Sequence, residues 1–291
     1  MNDTITAQSS IDIPDVVSIQ SQVTYGSVGN SIALPALRQH GLYALAVPTF
    51  LLSNTPHFPV CYGGELPDEW FNGYLRAVEE RGQADTLQAV LTGYLGSMAK
   101  ARILCTWLTR LRQINPSIRL IIDPVMGDED TGFYVDPGLA SFYREHLVPL
   151  ASGITPNLFE LAQLCGGPLR CREEIIQGAR SLLSKNTRWV VVTSAATMVA
   201  QKTLEVFCVT PDSVTVMEHC FYKGAPKGTG DLFSAELTAR LVQGYRIEDA
   251  TQLAALFTAQ RILESQAGGY HETVRTTSSK KERMKNIFRR F

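Results

Sequence analysis

The chain has 291 residues, of which 45% are hydrophobic and 19% are charged, so it can bury a large core and is too apolar to be disordered along its length. The formal net charge is −1, and because six basic residues and one acid fall within 280–291, the rest of the chain carries −6. So acidic a body argues against a role in nucleic-acid binding.

The sequence also gives no support to membrane insertion or secretion. The longest apolar stretch, 43–52, has ten residues and contains Pro48, so it is too short to cross a bilayer. The N-terminus lacks the basic start and the apolar core of a signal peptide. Six cysteines stand singly, without the spacing of a zinc site, and we expect reduced thiols in a cytoplasmic protein.

Short β-branched runs alternate with helical patterns from residue 16 onward, an order typical of βαβ units around a mostly parallel sheet. The predicted strands are 16–20, 43–49, 88–92, 119–123, 153–155 and 189–193, followed by an antiparallel hairpin of 205–210 and 213–219. The clearest helical patterns cover 67–81, 98–113, 173–184 and 232–243. Open sheets of this kind bind ligands beyond the carboxyl ends of their strands, so segments that follow strands are the candidate site.

No linker rich in Gly, Ser or Pro and no internal repeat divides these elements. The sequence therefore predicts one domain over 14–272, between a flexible N-terminal segment, 1–13, and a flexible, basic C-terminal tail, 273–291. A solvated chain end is the simpler interpretation of the tail, and a helix that touches an anionic surface is the alternative.

The first candidate segment follows the predicted strand 16–20 and extends from Ser21 to Asn30. Gly26 and Gly29 allow a ligand to approach the backbone closely, and Ser21 places a hydroxyl at the end of the strand. Neither a Walker loop nor a dinucleotide-binding fingerprint occurs in the chain. A P-loop kinase and a Rossmann dehydrogenase are therefore disfavoured.

Two carboxylates, Asp123 and Asp128, lie in the sequence DPVMGD at the end of the apolar strand 119–123. Hard oxygen ligands of this kind suit Mg²⁺ or the waters around it. A polar turn explains the same residues without a metal.

The segment TPNLFE begins at Thr155, and we expect Pro156 and Asn157 to start a helix whose first turn contains Glu160. The Glu160 carboxylate could then face the strand ends and a bound metal. A capping box, with Thr155 or Asn157 as the cap, explains the spacing equally well.

The sequence KGTGD, from Lys227 to Asp231, is the most informative segment because it opens directly into the helical pattern 232–243. Its two glycines let successive N–H groups point outward at the positive end of the helix dipole, where an anion such as a phosphate would bind. Asp231 would then lie beside the phosphate and could accept a proton from an attacking alcohol. The alternative is a tight turn in which Asp231 is only an N-cap.

In this order, the four segments resemble the pyridoxal kinase family of the ribokinase-like superfamily. The likeness extends over 16–271 and is most specific in SQVTYGSVGNS, VPTFLLSNTPHF, YGGELPDEW, TGYLGS, DPVMGD, TPNLFE, VVVTS and KGTGD. It implies an α/β fold, a ribokinase-like three-layer α/β/α sandwich with a central mostly parallel sheet, and a homodimer. It also implies ATP-dependent phosphorylation of the 5′-hydroxymethyl group of the vitamin B6 vitamers pyridoxal, pyridoxine and pyridoxamine, which feeds pyridoxal 5′-phosphate salvage. The implied cofactors are Mg²⁺ and a monovalent cation such as K⁺.

The resemblance also implies roles for individual residues. Asp231 would be the catalytic base, and Ser21, His57 and Asp231 would bind the vitamer. The residues implied around ATP are Asp123, Thr155, Glu160, Thr193, Lys227, Gly228, Thr229 and Gly230, and those implied around the metal are Glu160 and, through its backbone oxygen, Tyr134. The segment 195–204 is short, and the resemblance does not define its course over the adenine.

Three alternatives stay open. A hydroxymethylpyrimidine kinase shares the glycine turn, but SNTPHF and SQVTYGSVGN argue against it. A kinase restricted to pyridoxal would look nearly the same in sequence. A non-catalytic ligand-binding protein on a kinase scaffold is the third, and the presence of Lys227, Asp231, Asp123 and Glu160 argues against it.

Overall fold

The computed structural model describes residues 13–195, 203–220, 225–268 and 273, with the side chains of 219 and 220 left aside. The strands are β1 Val16–Tyr25, β2 Ala44–Asn54, β3 Gly63–Glu65, β4 Ala89–Thr92, β5 Arg119–Ile122, β6 Gly127–Asp128, β7 Gly132–Phe133, β8 Gly153–Ile154, β9 Trp189–Ala195, β10 Thr203–Val209 and β11 Val214–Cys220. The helices are α1 Asn30–Gln39, α2 Asp68–Glu80, α3 Met98–Ile114, α4 Gly138–Phe142, α5 Leu158–Cys165, α6 Arg172–Ser181, α7 Thr229–Val242 and α8 Ile247–Ala267. A π-helical turn, Tyr143–Leu147, and a short 3₁₀ turn, Val148–Leu150, follow α4.

The main sheet has nine strands in the order β11-β10-β9-β8-β5-β4-β1-β2-β3, and β6 and β7 form a separate hairpin. The strands from β9 to β2 in that order are parallel, and β3, β10 and β11 are antiparallel additions at the two edges. This confirms the predicted mostly parallel sheet and its antiparallel hairpin.

Helices cover both faces of the sheet, because the central strands are apolar on both sides. Val17 and Ile19 of β1 belong to the larger core, together with buried residues of α2, α3, α5 and α6. Val16 belongs to the second core, with buried residues of α1, α7 and α8. The alternation along β1 follows from the two-residue period of a strand and produces the predicted three-layer sandwich.

The sheet changes its winding direction beside β1. The chain proceeds from β1 to β2 on one side, and later returns to β4 on the other side before continuing outward to β5, β8 and β9. Such a reversal is where ligands bind in open α/β sheets, beyond the carboxyl ends of the strands. The segments after β1, β5, β8 and β9 therefore share one end of the sheet.

Both β1 and β2 are longer than predicted, and Pro48 lies inside β2. Gln20 pairs with Pro48, and the register then shifts, so that Gln22 pairs with Leu51. Proline cannot donate to the ladder and is tolerated in strands at bulges, which explains the irregularity at this point.

Helices α1 and α8 and strand β3 are absent from the clearest sequence patterns. Helix α1 contains Pro35, which cannot donate the usual helical hydrogen bond and hides the pattern. Helix α8 carries apolar residues on its exposed side as well, among them Leu253 and Leu256, so no single apolar stripe marks it. Strand β3 has only three residues, two of them glycine.

Two further predictions concern thiols and membranes. Cys61, Cys105, Cys165, Cys171 and Cys208 are free thiols, as predicted for them. Within the described ranges, no helix combines the length and apolar character needed to cross a bilayer. The predicted segment 1–13, apart from residue 13, and the tail 273–291, apart from Thr273, lie outside the described residues.

Candidate active site

Two glycine turns from opposite ends of the chain pack against each other at the carboxyl edge of the sheet. Gly228, the N-cap residue of α7, has φ of 87°, and a Cβ at this position would lie 1.7 Å from the carbonyl oxygen of Ser27. An L-residue side chain fits neither the backbone angle nor the space, so only glycine allows this contact. Gly228 thereby fixes the start of α7 against the segment that follows β1.

The second turn supplies a direct hydrogen bond to Asp231. Gly29 also has a positive φ, 54°, and a Cβ there would lie 2.1 Å from the carbonyl oxygen and 2.7 Å from the hydroxyl of Ser21. The backbone N–H of Gly29 donates to Oδ2 of Asp231 at 2.8 Å. Ser21, Gly29 and Asp231 are therefore neighbours, although the first and last lie in distant parts of the sequence.

Gly230 differs from these two glycines because neither packing nor backbone angle requires it. Among the described residues, no atom would lie within 4 Å of a Cβ at Gly230, and the residue is exposed at the first turn of α7. Open space beside the first turn of a fourteen-residue helix, whose first N–H groups have no helical partner, is suited to an anion. The predicted phosphate position is thus accessible in the structure.

The carboxyl group of Asp231 is partly exposed and faces this turn. Partial removal of water raises its pKa above the usual value, and the hydrogen bond from Gly29 acts in the opposite direction. An acceptor with a raised pKa is a stronger base than an ordinary aspartate. The alternative in which Asp231 is only the N-cap of the helix is wrong, because the N-cap residue of α7 is Gly228 and Asp231 lies within the first turn.

Asp123, at the carboxyl end of β5, is joined to the same helix. Its Oδ2 accepts a 2.8 Å hydrogen bond from the hydroxyl of Ser234, and that hydroxyl lies 2.9 Å from Oγ1 of Thr155. Burial strongly raises the pKa of Asp123, and the carboxylates of Glu160 and Asp231 raise it further. The structure therefore brings Asp123, Thr155, Glu160 and Asp231 into one acidic neighbourhood.

Glu160 forms the capping box considered from the sequence, with Asn157 as the cap. The backbone N–H of Asn157 donates to Oε2 of Glu160 at 2.8 Å, and the N–H of Glu160 donates to Oδ1 of Asn157 at 2.8 Å. The N–H of Met126 donates to Oε1 of Glu160 at 3.0 Å. Burial raises the pKa of Glu160 to about 8, although hydrogen bonds from the backbone N–H groups of Asn157, Met126 and Gly127 act to lower it. The capping box explains the spacing of Asn157 and Glu160 in the sequence. The Glu160 carboxylate nevertheless lies near the other acidic side chains of the site.

The hairpin of β6 and β7 holds Asp128 near Lys227. Lys227 Nζ lies 3.5 Å from Oδ2 of Asp128, and the hydroxyls of Tyr134 and Thr131 also donate to the Asp128 carboxylate. Burial acts to raise the pKa of Asp128, but these hydrogen bonds and the Lys227 charge together lower it below the usual value. The carboxylate is therefore ionised, and Lys227 is drawn toward the acidic cluster.

Thr193 marks a cavity on the other side of the turn. It lies near the end of β9, where its N–H donates to the carbonyl of Pro156 at 2.9 Å. A cavity of about 110 Å³ extends between Thr193, Thr229, Gly230 and the apolar residues of α7 and α8. Residues 196–202, within the segment expected over the adenine, lie outside the described part of the chain.

His57 lies on an exposed loop between β2 and β3, and its ring stacks on that of Phe58 with centroids 4.4 Å apart. Phe58 in turn contacts Tyr25, at the end of β1, with ring centroids 5.8 Å apart. The loop is thus packed toward the strand that carries Ser21. A contact between His57 and a substrate stays a prediction.

Two residues of this site were missed by the sequence analysis. Ser234 lies three residues after Asp231 on α7, and helical spacing alone would place both on one face. Thr273 is buried and donates its hydroxyl to the carbonyl of Lys227 at 2.8 Å, which holds the start of the glycine turn from the C-terminal side. No local signal points to Thr273.

Within the described ranges, no group of three His, Cys, Asp or Glu side chains converges tightly enough to hold a metal by itself. Mg²⁺ is a hard cation that keeps several waters and binds through one or two carboxylates and the phosphates of its substrate. The donor set of Asp123, Asp128 and Glu160 consists of oxygen atoms only and therefore fits that ion.

A model of the phosphomethylpyrimidine kinase family matches residues 26–275. Among curated proteins, the pyridoxine/pyridoxal/pyridoxamine kinase of Bordetella avium is 49% identical over 249 residues, which cover 85% of this chain and 84% of that protein. The pyridoxal kinase of Rubrobacter xylanophilus is 34% identical over 243 residues, which cover 83% of this chain and 84% of that protein.

Solved structures of pyridoxal kinases also match this chain, at lower sequence identity. The pyridoxal kinase from Leishmania donovani in complex with ADP and ginkgotoxin superposes with a TM-score of 0.83 and 28% identity, over 90% of this chain and 93% of that chain. The complex with ADP and pyridoxamine gives a TM-score of 0.80 and 27% identity, over 89% of this chain and 90% of that chain.

Proposed function

We propose that this chain, which belongs to the phosphomethylpyrimidine kinase family, is an ATP-dependent kinase that phosphorylates the 5′-hydroxymethyl group of the vitamin B6 vitamers. The curated relatives named as pyridoxine/pyridoxal/pyridoxamine kinases are 46% to 49% identical over most of both chains. The Leishmania complexes, which contain ADP with pyridoxamine or pyridoxine, support the same pair of substrates.

One structural observation carries the proposal. The start of α7, where Thr229 is half-buried and Gly230 is exposed, lies next to the carboxyl of Asp231, to which the N–H of Gly29 donates at 2.8 Å. A phosphate at the helix start and an alcohol at the carboxyl would then be adjacent. Phosphoryl transfer requires this juxtaposition more than it requires covalent chemistry from the protein.

The protein supplies several charges and dipoles to the phosphates. The N–H groups at Gly228 to Asp231 point toward the γ-phosphoryl group, and they are already oriented before the reaction. Lys227 precedes this turn, and its exposed ammonium group can move from Asp128 to the transferring phosphate. In this proposal Thr193 binds the remaining phosphate oxygens, whereas Thr155, whose hydroxyl proton is donated to Ser234, contacts the nucleotide site through its lone pairs, by way of the metal or a metal-bound water.

Mg²⁺ would be held through Glu160, Asp123 and Asp128, with the backbone oxygen of Tyr134 as a further ligand. Bound there, the ion would neutralise charge on the phosphates. The chain itself contributes Asp123 and Glu160, whose pKa values are raised by burial and further by neighbouring carboxylates, and a bound cation would favour their ionised forms. A monovalent cation such as K⁺ is part of the same proposal.

Asp231 orients the hydroxymethyl group and accepts its proton as the alcohol oxygen bonds to the γ-phosphorus of ATP and the bond from that phosphorus to the leaving ADP oxygen breaks. An ordinary aspartate has a pKa of about 4, and the raised pKa of Asp231 makes it a better acceptor. General base catalysis of this kind contributes a factor of about 10² to 10⁴. Positioning and charge stabilisation therefore supply the larger part of the acceleration.

The vitamer ring would lie between Ser21 and the His57 loop. Ser21 is nearly buried beside Gly29, so its hydroxyl is fixed close to the catalytic carboxyl. The ring nitrogen and the phenolic oxygen of a B6 vitamer are groups that a serine hydroxyl and an imidazole can hydrogen-bond.

We also propose a cytoplasmic homodimer, and light scattering of the purified protein tests its stoichiometry.

A hydroxymethylpyrimidine kinase is the second candidate, because the matching family model is described as phosphomethylpyrimidine kinase. Incubation of the protein with Mg·ATP and each of pyridoxal, pyridoxine, pyridoxamine and hydroxymethylpyrimidine distinguishes the two, with ADP release and the phosphorylated product measured together. We expect turnover of the vitamers. Preference for hydroxymethylpyrimidine would favour the second candidate. If no phosphorylated product formed from any of the four compounds, both candidates would be contradicted and a non-catalytic role would be favoured.

A further inference from the structure

The hydroxyl of Ser234 occupies an unusual position for a helical serine. Ser234 is 2% exposed, and its hydroxyl donates to Asp123 of β5 while contacting Thr155 beyond β8. Three other buried hydroxyls on α7 and α8 behave differently, since those of Thr238, Thr251 and Ser265 each donate to the carbonyl four residues earlier. Such back-bonding is the usual arrangement for a buried helical hydroxyl. Ser234 instead joins three elements of the site.

The direction of the two hydrogen bonds follows from a count of protons. A serine hydroxyl has one hydrogen, and when the Asp123 carboxylate is ionised, as it would be beside a bound cation, that hydrogen is donated to Oδ2 of Asp123. In the 2.9 Å contact with Thr155, Ser234 must therefore accept, and Thr155 must donate. The chain of bonds runs from Thr155 to Ser234 to Asp123, so the lone pairs of Thr155 stay directed away from Ser234.

This chain of bonds connects the parts of the site that must hold the phosphates and the acceptor in register. Asp123 and Thr155 end two neighbouring strands, and Ser234 lies one turn beyond Asp231 on α7. All three linked side chains are at least nine-tenths buried, so water does not compete for these hydrogen bonds. A shift of α7 along the strands would break both bonds together.

We propose that Ser234 is a positioning residue of the reaction: its hydroxyl locks the catalytic helix to Asp123 and Thr155, so that Asp231 keeps its distance from the nucleotide and metal. The proposal rests on the proposed function, because it assumes that Asp123 and Thr155 face the nucleotide. It assigns Ser234 no contact with either substrate.

The test is Ser234→Ala, with Ser265→Ala as the matched control, since both substitutions remove a buried hydroxyl from a helix. Rates are measured with Mg·ATP and pyridoxal and normalised to the folded fraction. We expect Ser234→Ala to lower kcat about tenfold or more and to raise the Mg²⁺ concentration for half-maximal rate, with the KM for pyridoxal within about twofold of wild type. Ser265→Ala should keep the wild-type values.

A double-mutant cycle with Asp123→Ala separates positioning from general stability. If Ser234 acts through Asp123, Ser234→Ala should cost much less in kcat when Asp123 is already alanine. The same four proteins are unfolded in urea without nucleotide or metal, where the cycle reports the hydrogen bond itself. We expect the two substitutions to be non-additive there as well.

Two outcomes overturn the inference. Either Ser234→Ala turns over like Ser265→Ala once normalised to folded protein, or its cost in kcat is the same with and without Asp123. Failure of the proposed function is seen separately, because the wild-type protein would then phosphorylate neither the vitamers nor hydroxymethylpyrimidine. In that case the unfolding cycle still tests the bond between Ser234 and Asp123, and additive effects there would remove its physical basis.

Discussion

The backbone N–H of Gly29 donates a 2.8 Å hydrogen bond to Oδ2 of Asp231, a residue 202 positions later in the chain. The bond needs the left-handed backbone of Gly29 and the close approach of Gly228 to Ser27. It fixes the carboxylate at the winding reversal of the sheet, beside the exposed start of α7. The glycine turns thus form a pair, one at the proposed phosphate site and the other hydrogen-bonded to the proposed base.

The two glycines at the start of α7 should respond oppositely to substitution by alanine. Gly228→Ala places a Cβ 1.7 Å from a carbonyl oxygen at φ of 87°, and we expect a loss of about 3 kcal/mol in the free energy of unfolding. Gly230→Ala meets open space and should leave stability unchanged or raise it by up to about 1 kcal/mol. The measurement is urea unfolding.

Gly230→Ala should nevertheless impair nucleotide binding, because its methyl group would occupy the space over the helix start. Calorimetric titration with Mg·ADP should show affinity lowered about tenfold or more. Gly244→Ala is not a suitable control because of its positive φ, whereas Gly73→Ala on α2 also meets open space and should bind normally. Normal ADP affinity in Gly230→Ala would place the phosphate elsewhere.

Stability without nucleotide and metal should fall as pH rises from about 4.5 to about 8. The pKa of Glu160 is 4.5 in the unfolded chain and about 8 in the folded protein. Between these two pH values the folded protein therefore binds more protons than the unfolded chain. The stability that depends on protonated Glu160 is fully present below pH 4.5 and is lost as the pH rises through about 8. The raised pKa values of Asp123 and Asp231 act with the same sign.

Glu160→Gln removes one of these titrating groups and should flatten the decline in unfolding free energy between pH 5 and pH 8. Addition of Mg·ADP to the wild-type protein should also restore stability at pH 8, because a bound cation favours the ionised carboxylates. The measurement is urea unfolding at a series of pH values. Equal slopes for wild type and Glu160→Gln would show that Glu160 is not titrating in this window.

Lys227→Met should separate catalysis from stability. The ion pair with Asp128 is long, at 3.5 Å, and the lysine is about half exposed, so its loss should change the unfolding free energy by less than about 1 kcal/mol. The rate should fall about tenfold to a hundredfold if the ammonium group binds the transferring phosphate. Arg76→Met, which breaks an exposed ion pair with Glu80, is the matched control and should keep full activity. A wild-type rate in Lys227→Met would remove its proposed role.

The sequence predicts the parallel sheet and the main site segments because these depend on local patterns. Apolar runs mark β5 and β9, and the glycines of KGTGD mark the start of α7. The sequence also predicts the capping box of Asn157 and Glu160 as an alternative, since the two residues lie only three positions apart.

The contacts that assemble the site are not local and could not be predicted in this way. Neither the bond from Gly29 to Asp231 nor that from Ser234 to Asp123 leaves a trace in spacing or composition. Lys100 makes the same point in the core: on a helix it suggests a solvent-facing residue, yet it is fully buried and bonded to Glu65 and Asp68. Tertiary packing determines which residues are buried and which distant residues they contact, and local patterns in a single sequence do not show it.

The central claim is that Asp231 accepts the proton of the vitamer's hydroxymethyl group. Its most direct test is steady-state turnover of pyridoxal with Mg·ATP by Asp231→Asn, whose side chain keeps an oxygen for the N–H of Gly29. We predict wild-type stability and ADP affinity with kcat lowered by a factor of about 10² to 10⁴. A kcat close to that of the wild-type protein would contradict the assignment.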